Sequence, residues 1–211
     1  MDNLLTVLPL AVVMIAGPQI ITAIMLATSE KALRNSYAYV GGAMVASTAA
    51  TAVFYYAARA LGLEGSDRES GSVVLDWVLV ILLLVAAGRV FLKRHDTEPP
   101  KYMQKLQTAS PGASFRLGLL LFLFMPTDLI VTFTVGTFLA SHGEPLWRSV
   151  GFLLVTGLLI GAPLLVLLVM GRRAETVLPA LRNWTNAHAW VVSEIVIALF
   201  LVLQFQSILS A

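Results

Sequence analysis

Six runs of about twenty apolar residues constrain this chain more than any other feature: Leu4–Thr28, Ala38–Leu61, Val73–Leu92, Leu117–Ala140, Trp147–Met170 and Trp190–Leu209. A helix rising about 1.5 Å per residue crosses the roughly 30 Å of bilayer hydrocarbon in about twenty residues, so each run predicts a membrane span. Charged residues make up 12% of the chain, about half the roughly 25% of a soluble domain. Lipid must solvate the apolar surface that a core of this size cannot hide. The start, Met1-Asp2-Asn3, is acidic, and the run after it exceeds a signal peptide's apolar region, so it reads as a first span.

The charges give the spans a direction. Eleven of the fourteen Lys and Arg lie at the joints after spans one, three and five: Lys31 and Arg34, then Arg89, Lys93, Arg94, Lys101, Lys105 and Arg116, then Arg172, Arg173 and Arg182. The opposite side holds Arg59, Arg68 and Arg148, together with Glu64, Asp67, Glu69 and Glu144. Basic joints stay cytoplasmic, which predicts a multi-pass protein with both termini outside. Arg59, Arg89, Arg116 and Arg172 stand at span ends, where long side chains snorkel. Trp77, Trp147, Trp184 and Trp190 fit interfacial belts. The polar joint 93–114, broken by Pro99-Pro100 and Pro111-Gly112, separates residues 1–92 from 115–211 as a cytoplasmic linker.

The two parts carry matching features in the same order. Spans one and four are interrupted in mid-membrane, at Gly17-Pro18-Gln19 and at Met125-Pro126-Thr127-Asp128. Spans two and five are rich in small residues, with Gly42, Ala46 and Ala50 in one and Gly157 and Gly161 in the other; such spacing lets helices approach closely. Spans three and six open alike, Val73-Val74-Leu75-Asp76 against Val191-Val192-Ser193-Glu194. Three spans per half force the second half to enter from the other side. The expected fold is therefore an all-α membrane protein of six helices in two inverted three-helix repeats, a plan of secondary transporters whose site lies at paired broken helices.

The candidate site follows from the breaks. Pro18 and Pro126 each remove a helix hydrogen bond, and the freed backbone must find partners or line a cavity. Asp128 lies deep in span four, where a carboxylate costs about 2.5–3.5 kcal/mol or more. Following Pro126, it falls in the first turn of a half-helix, whose positive dipole end favours an anion. It is either a cap of that half-helix, with Thr127, or a carboxylate that couples transport to a proton or cation gradient; the two roles are compatible. Gln19 is its counterpart after Pro18. Thr22, Thr132 and Thr134 add hydroxyls that ordinarily bond back to their own helix. Asp76 and Glu194, about a turn inside their spans, are secondary candidates for gating or coupling, or simply acids comfortable near water.

Several chemistries are excluded. With no Cys, there are no disulfides or thiolate metal sites, and His95, His142 and His188 are scattered in the joints, so no metal centre is expected. No GxSxG, HExxH or phosphate-cradling glycine loop occurs, and no pair of intramembrane aspartates. No catalytic residue, bound cofactor or nucleic-acid partner is expected. The partners are membrane lipids and a small amphiphilic substrate. The small-residue faces of spans two and five can pack within one chain or between two copies.

With six spans in 211 residues, Gly17-Pro18 in span one and the Met125-Pro126-Thr127-Asp128 break in span four, the chain resembles the LysE superfamily of exporters. Within it the nearest likeness is the Gap/Sap group, the peptidoglycolipid- and sulfolipid-addressing proteins of actinobacteria. That group's second break is Asn-Pro-Lys-like. Here Thr127 and Asp128 follow the proline, which removes a cation and installs an acid. The resemblance implies a prokaryotic plasma membrane and export of a lipid or glycolipid, with an amino acid or cation as the alternative cargo. A third role is a non-transporting accessory subunit of a lipid-assembly machine. Lipid export predicts a cavity open sideways to the bilayer; amino-acid or cation export predicts a small closed polar pocket.

Overall fold

The computed structural model describes residues 10–11, 14–15, 18–62, 106–174, 176–178, 180 and 198. Spans three and six, with Asp76 and Glu194, lie outside the described residues, as do Gly17, most of the 93–114 linker and both termini. Within them the chain is helical, with no strand. The elements are α1 (Pro18–Ala27), α2 (Ala32–Ala60), α3 (Pro111–Phe124), α4 (Pro126–Ser141), α5 (Val150–Ile160) and α6 (Ala162–Met170). Short 3₁₀ turns at Leu146–Ser149 and Gly171–Arg173 complete the described structure.

Span two is the mast. Helix α2 has 29 residues and, among the described residues, is the single unbroken helix long and apolar enough to cross a membrane. Its buried face, which includes Tyr39, Gly42, Ala43, Ala46, Ala50 and Tyr55, recurs every three or four residues and points inward. Val45, Val53 and Tyr56 are exposed, an apolar face suited to lipid. Helix α1 is buried nearly all round, from Gln19 through Ala27, the pattern of a helix enclosed by others.

Spans four and five are both bent. Helices α3 and α4 meet at 67° around Met125, and the helical segments Leu146–Ile160 and α6 meet at 56° around Gly161. If each bent pair is one span, the described residues hold up to three spans. The first bend is expected from Pro126. The second departs from the uninterrupted run of span five. Pro163 opens α6 and, with Gly161 at the joint, stops one helix and starts the next.

Small residues bring span two against span four within one chain. A Cβ on Gly42 would collide with the Phe115 carbonyl, and one on Gly118 with the Tyr39 carbonyl. The crossing is reciprocal, since each glycine faces the carbonyl of the residue three positions before the other. Further along, Gly136 approaches the Thr51 carbonyl, where an added Cβ would sit 2.8 Å away. Gly157 of span five faces Met44 of span two, with the sulfur 2.9 Å from such a Cβ.

The two ends of α2 gather different joints. At its start, Asn35 Nδ2 donates to Ser29 Oγ at 2.9 Å and to the Ala109 carbonyl at 3.0 Å, while the Glu30 amide donates to the Gln107 carbonyl at 3.2 Å. The segment after α1 and the segment before α3 therefore meet at one end. Toward the other end, Tyr55 Oη donates to the Glu144 carbonyl at 3.1 Å, tying down the segment after α4. Asn35 and Tyr55 are about 30 Å apart along a helix rising 1.5 Å per residue, close to the hydrocarbon thickness. Replacing Asn35 with Ala removes both of its bonds and strands the Ala109 carbonyl, with an expected loss of about 2 kcal/mol of stability. Thermal unfolding in detergent measures it, and an unchanged midpoint would mean that the clasp carries no load.

Candidate functional site

Gln19 of α1 and Asp128 of α4, each close behind a proline, meet in the interior. Pro126 opens α4, the first-turn position where a missing N–H costs nothing; Pro18 is the first residue described in α1, and residues 10–11 and 14–15 ahead of it are also helical. Met125 takes an extended conformation, with ψ 128°, which turns the chain between α3 and α4. Its amide still donates to the Leu121 carbonyl at 3.0 Å, and its own carbonyl accepts from the amides of Asp128 at 3.1 Å and Leu129 at 3.0 Å. The break thus satisfies much of its own backbone, and the Asp128 side chain is free for another partner.

That partner is Gln19. Its Nε2 donates to Asp128 Oδ2 at 2.8 Å, across 109 positions of sequence. Both residues are fully buried. The α4 N-cap residue is Met125, without a side-chain cap bond. The Asp128 carboxyl therefore reaches across to α1 instead of capping its own helix. Asp128 lies in the first turn of α4, the helix end that carries partial positive charge.

Nearby groups hold the pair. Tyr39 Oη donates to the Gln19 carbonyl at 2.9 Å, and the Tyr39 ring packs edge-on against Phe122 with centroids 6.5 Å apart. Thr132 Oγ1 donates to the Asp128 carbonyl at 2.8 Å, and Thr134 to the Ile130 carbonyl at 2.8 Å, the ordinary back-bond of a helix hydroxyl. Thr22 differs. It is fully buried, one turn from Gln19, and its hydroxyl has no partner among the described residues. Gln19 Oε1 and Asp128 Oδ1 are likewise buried without a donor there. A buried polar atom left without a partner costs about 1–3 kcal/mol, and Gln19, Thr22 and Asp128 each carry one.

The expected residues divide cleanly. Gln19, Thr22, Asp128 and Thr132 are buried, Pro18 is partly exposed, and Pro126 and Thr127 are exposed on the outer side of the turn. Tyr39 was not expected. Its signal lay in its place three residues before Gly42, on the face that packs inward. The Gln19–Asp128 pair is closed off. A hollow of about 420 Å³ lined by Ser110, Gly112, Ala113, Arg116, Leu117 and Leu120 opens at the start of α3 and shares no residue with it.

Comparison with curated proteins and with solved structures gives no match. The family described as "Sap, sulfolipid-1-addressing protein" matches residues 7–208, nearly the whole chain. This agrees with the Gap/Sap likeness carried by the two proline breaks, and it ties the apolar helices to a lipid-related role in a membrane. The chain belongs to the Sap, sulfolipid-1-addressing protein, family.

Proposed function

We propose that the chain is a secondary transporter that exports a lipid, glycolipid or other small amphiphile by alternating access around its paired half-helices. One observation carries the proposal: the buried 2.8 Å bond from Gln19 to Asp128 joins α1 to the start of α4, two helices that run to opposite ends of α2. A polar pair beside a broken helix is where inverted-repeat transporters place their site. On this reading the chain has six spans in two inverted repeats, residues 1–92 and 115–211 joined by the 93–114 linker, with both termini outside a prokaryotic plasma membrane, as its apolar runs and basic joints suggest. Membership of the LysE superfamily of exporters is part of the same reading. The protein needs no bound cofactor and acts as a carrier, not an enzyme.

Asp128 is the coupling group. A carboxylate with one oxygen bonded and the other buried without a donor demands a counterpart, and a proton from the transmembrane gradient is the smallest that fits. A closed pair with no solvent-facing atom is an occluded state, opened to one side or the other by parting α1 and α4. Purified protein reconstituted in liposomes is expected to move a short-chain fluorescent glycolipid across the bilayer when a pH gradient is imposed. Folded protein that moves nothing would point instead to an accessory subunit of a lipid-assembly machine. A second reading is supported by the small, closed, polar character of the pair: export of an amino acid or cation, which the same liposomes loaded with labelled lysine or monovalent cation would reveal.

A further inference from the structure

We propose that the hollow at the start of α3 seats the anionic headgroup of a lipid from the cytoplasmic leaflet, with Arg116 as its counter-charge. Ser110, Gly112, Ala113, Arg116, Leu117 and Leu120 line about 420 Å³ there, within the roughly 300–1,000 Å³ of small-molecule sites. Arg116 is the one charged side chain in the lining, and no carboxylate accompanies it. It forms no ion pair or hydrogen bond among the described residues. The Ser110 hydroxyl oxygen accepts from the Ala113 amide at 3.2 Å, and its own hydrogen has no acceptor among those residues. An unpaired guanidinium, whose fork matches phosphate and sulfate oxygens, is thus held beside a free hydroxyl in a concave place.

The occupant is a lipid because the hollow continues into an apolar wall. Ser110 and Leu120 are ten positions apart, about 15 Å along α3, or half the hydrocarbon thickness. Past Arg116 the lining is Leu117 and Leu120, and Phe124, one turn further on, is exposed. A soluble anion leaves that wall bare, whereas a lipid covers it with its chain. The wall is clear of the helix crossing, since Phe115 and Gly118 turn toward α2 while Arg116 and Leu120 are exposed. The Asn35–Ala109 and Glu30–Gln107 bonds hold the start of α2 beside the segment before α3. Exposed Lys31 and Arg34 therefore share this end with Arg116, against one acid, Glu30, among the described residues of the two joints. Such a balance draws anionic lipid. Lys31 and Arg34 lie outside the lining of the hollow, so the seat itself belongs to Arg116. The inference stands on the membrane reading of the helices and not on transport through Gln19 and Asp128, with which the hollow shares no residue.

The test is native mass spectrometry of the full chain in dodecyl maltoside, with dioleoyl phosphatidylglycerol and dioleoyl phosphatidylcholine as probes of equal tails. One phosphatidylglycerol is expected to bind about fivefold or more tighter than phosphatidylcholine, roughly the factor that one cation at a membrane surface supplies. Arg116→Gln is expected to bring the two lipids to within about twofold of each other. Arg34→Gln removes the same charge from the same end and is expected to leave most of the preference. Gly112→Leu adds a side chain where the glycine faces open space, filling the hollow with no change of charge. It is expected to weaken phosphatidylglycerol several-fold at an unchanged melting midpoint, and Ala113→Leu, on the same exposed wall, is a second filler. Equal losses in Arg116→Gln and Arg34→Gln would reduce the seat to diffuse attraction by a basic surface and overturn it. Full preference in both filled variants overturns it too. Equal binding of the two lipids, or displacement of phosphatidylglycerol by inorganic phosphate, overturns the lipid as occupant.

Discussion

Replacing Asp128 with Asn is expected to cut gradient-driven transport at least tenfold and to leave whatever flux remains indifferent to an imposed pH gradient. A tenfold change corresponds to about 1.4 kcal/mol, within the range of about 1–3 kcal/mol for one buried polar group left without its partner. The substitution preserves shape and keeps an oxygen that can accept from Gln19 Nε2, so the 2.8 Å bond between the two half-helices survives and the protein folds. What Asn cannot do is bind and release a proton. Transport with unaltered pH dependence in this variant would remove Asp128 from coupling and reduce it to a link between helices. Asp128→Leu is the contrasting case. It leaves Gln19 Nε2 buried without an acceptor, so stability falls along with transport, by about 1–3 kcal/mol. Thermal melts run beside the flux assay distinguish the two effects.

The largest effect on folding is expected at the crossing of α2 and α3. Alanine at Gly42 or Gly118 places a Cβ against a backbone carbonyl, and no side-chain rotation relieves a clash with backbone. The helices must move apart and lose the contacts on either side, a penalty of about 1–3 kcal/mol of overpacking for each. Valine at either position should prevent accumulation of folded protein. The two alanine variants are expected to be less than additive. Once one Cβ has parted the helices, the second meets less resistance, so the double variant should fall short of the sum by about 0.5 kcal/mol or more. Full additivity in detergent melts would show that the glycines act independently, and the reciprocal geometry would then have no energetic meaning.

Much of the site was legible in the sequence because membranes make polarity expensive. Asp128 and Gln19 stand out since neither belongs in hydrocarbon and each follows a proline. The α3–α4 bend follows from Pro126. Other features depend on helix rotation, which no run of apolar residues encodes. Tyr39 is one of several aromatics in its span, and only the close approach of Gly42 to Gly118 turns it toward Gln19. Among the threonines, Thr132 and Thr134 bond back while Thr22 does not, a distinction made by surroundings and not by residue type. The bend of span five was written in Gly161 and Pro163, but glycines spaced four apart suit close packing equally well. The Asn35 clasp looked like any polar joint. Its importance comes from reaching across 74 positions to Ala109.

The reciprocal crossing also sets a mechanical scale. Tyr39 holds the start of α1 to α2, and its own carbonyl faces Gly118, so Gln19 travels with one arm of a lever and Asp128 with the other. Gly118 lies about 10 Å along α3 from Met125 at 1.5 Å per residue. A rotation of roughly 15° at that fulcrum displaces the far end of the arm by about 3 Å, as much as the whole length of a hydrogen bond. Because the fulcrum is made of backbone, it has no rotamers to absorb the turn. A small tilt between two helices is then sufficient to convert the joined pair into a parted one.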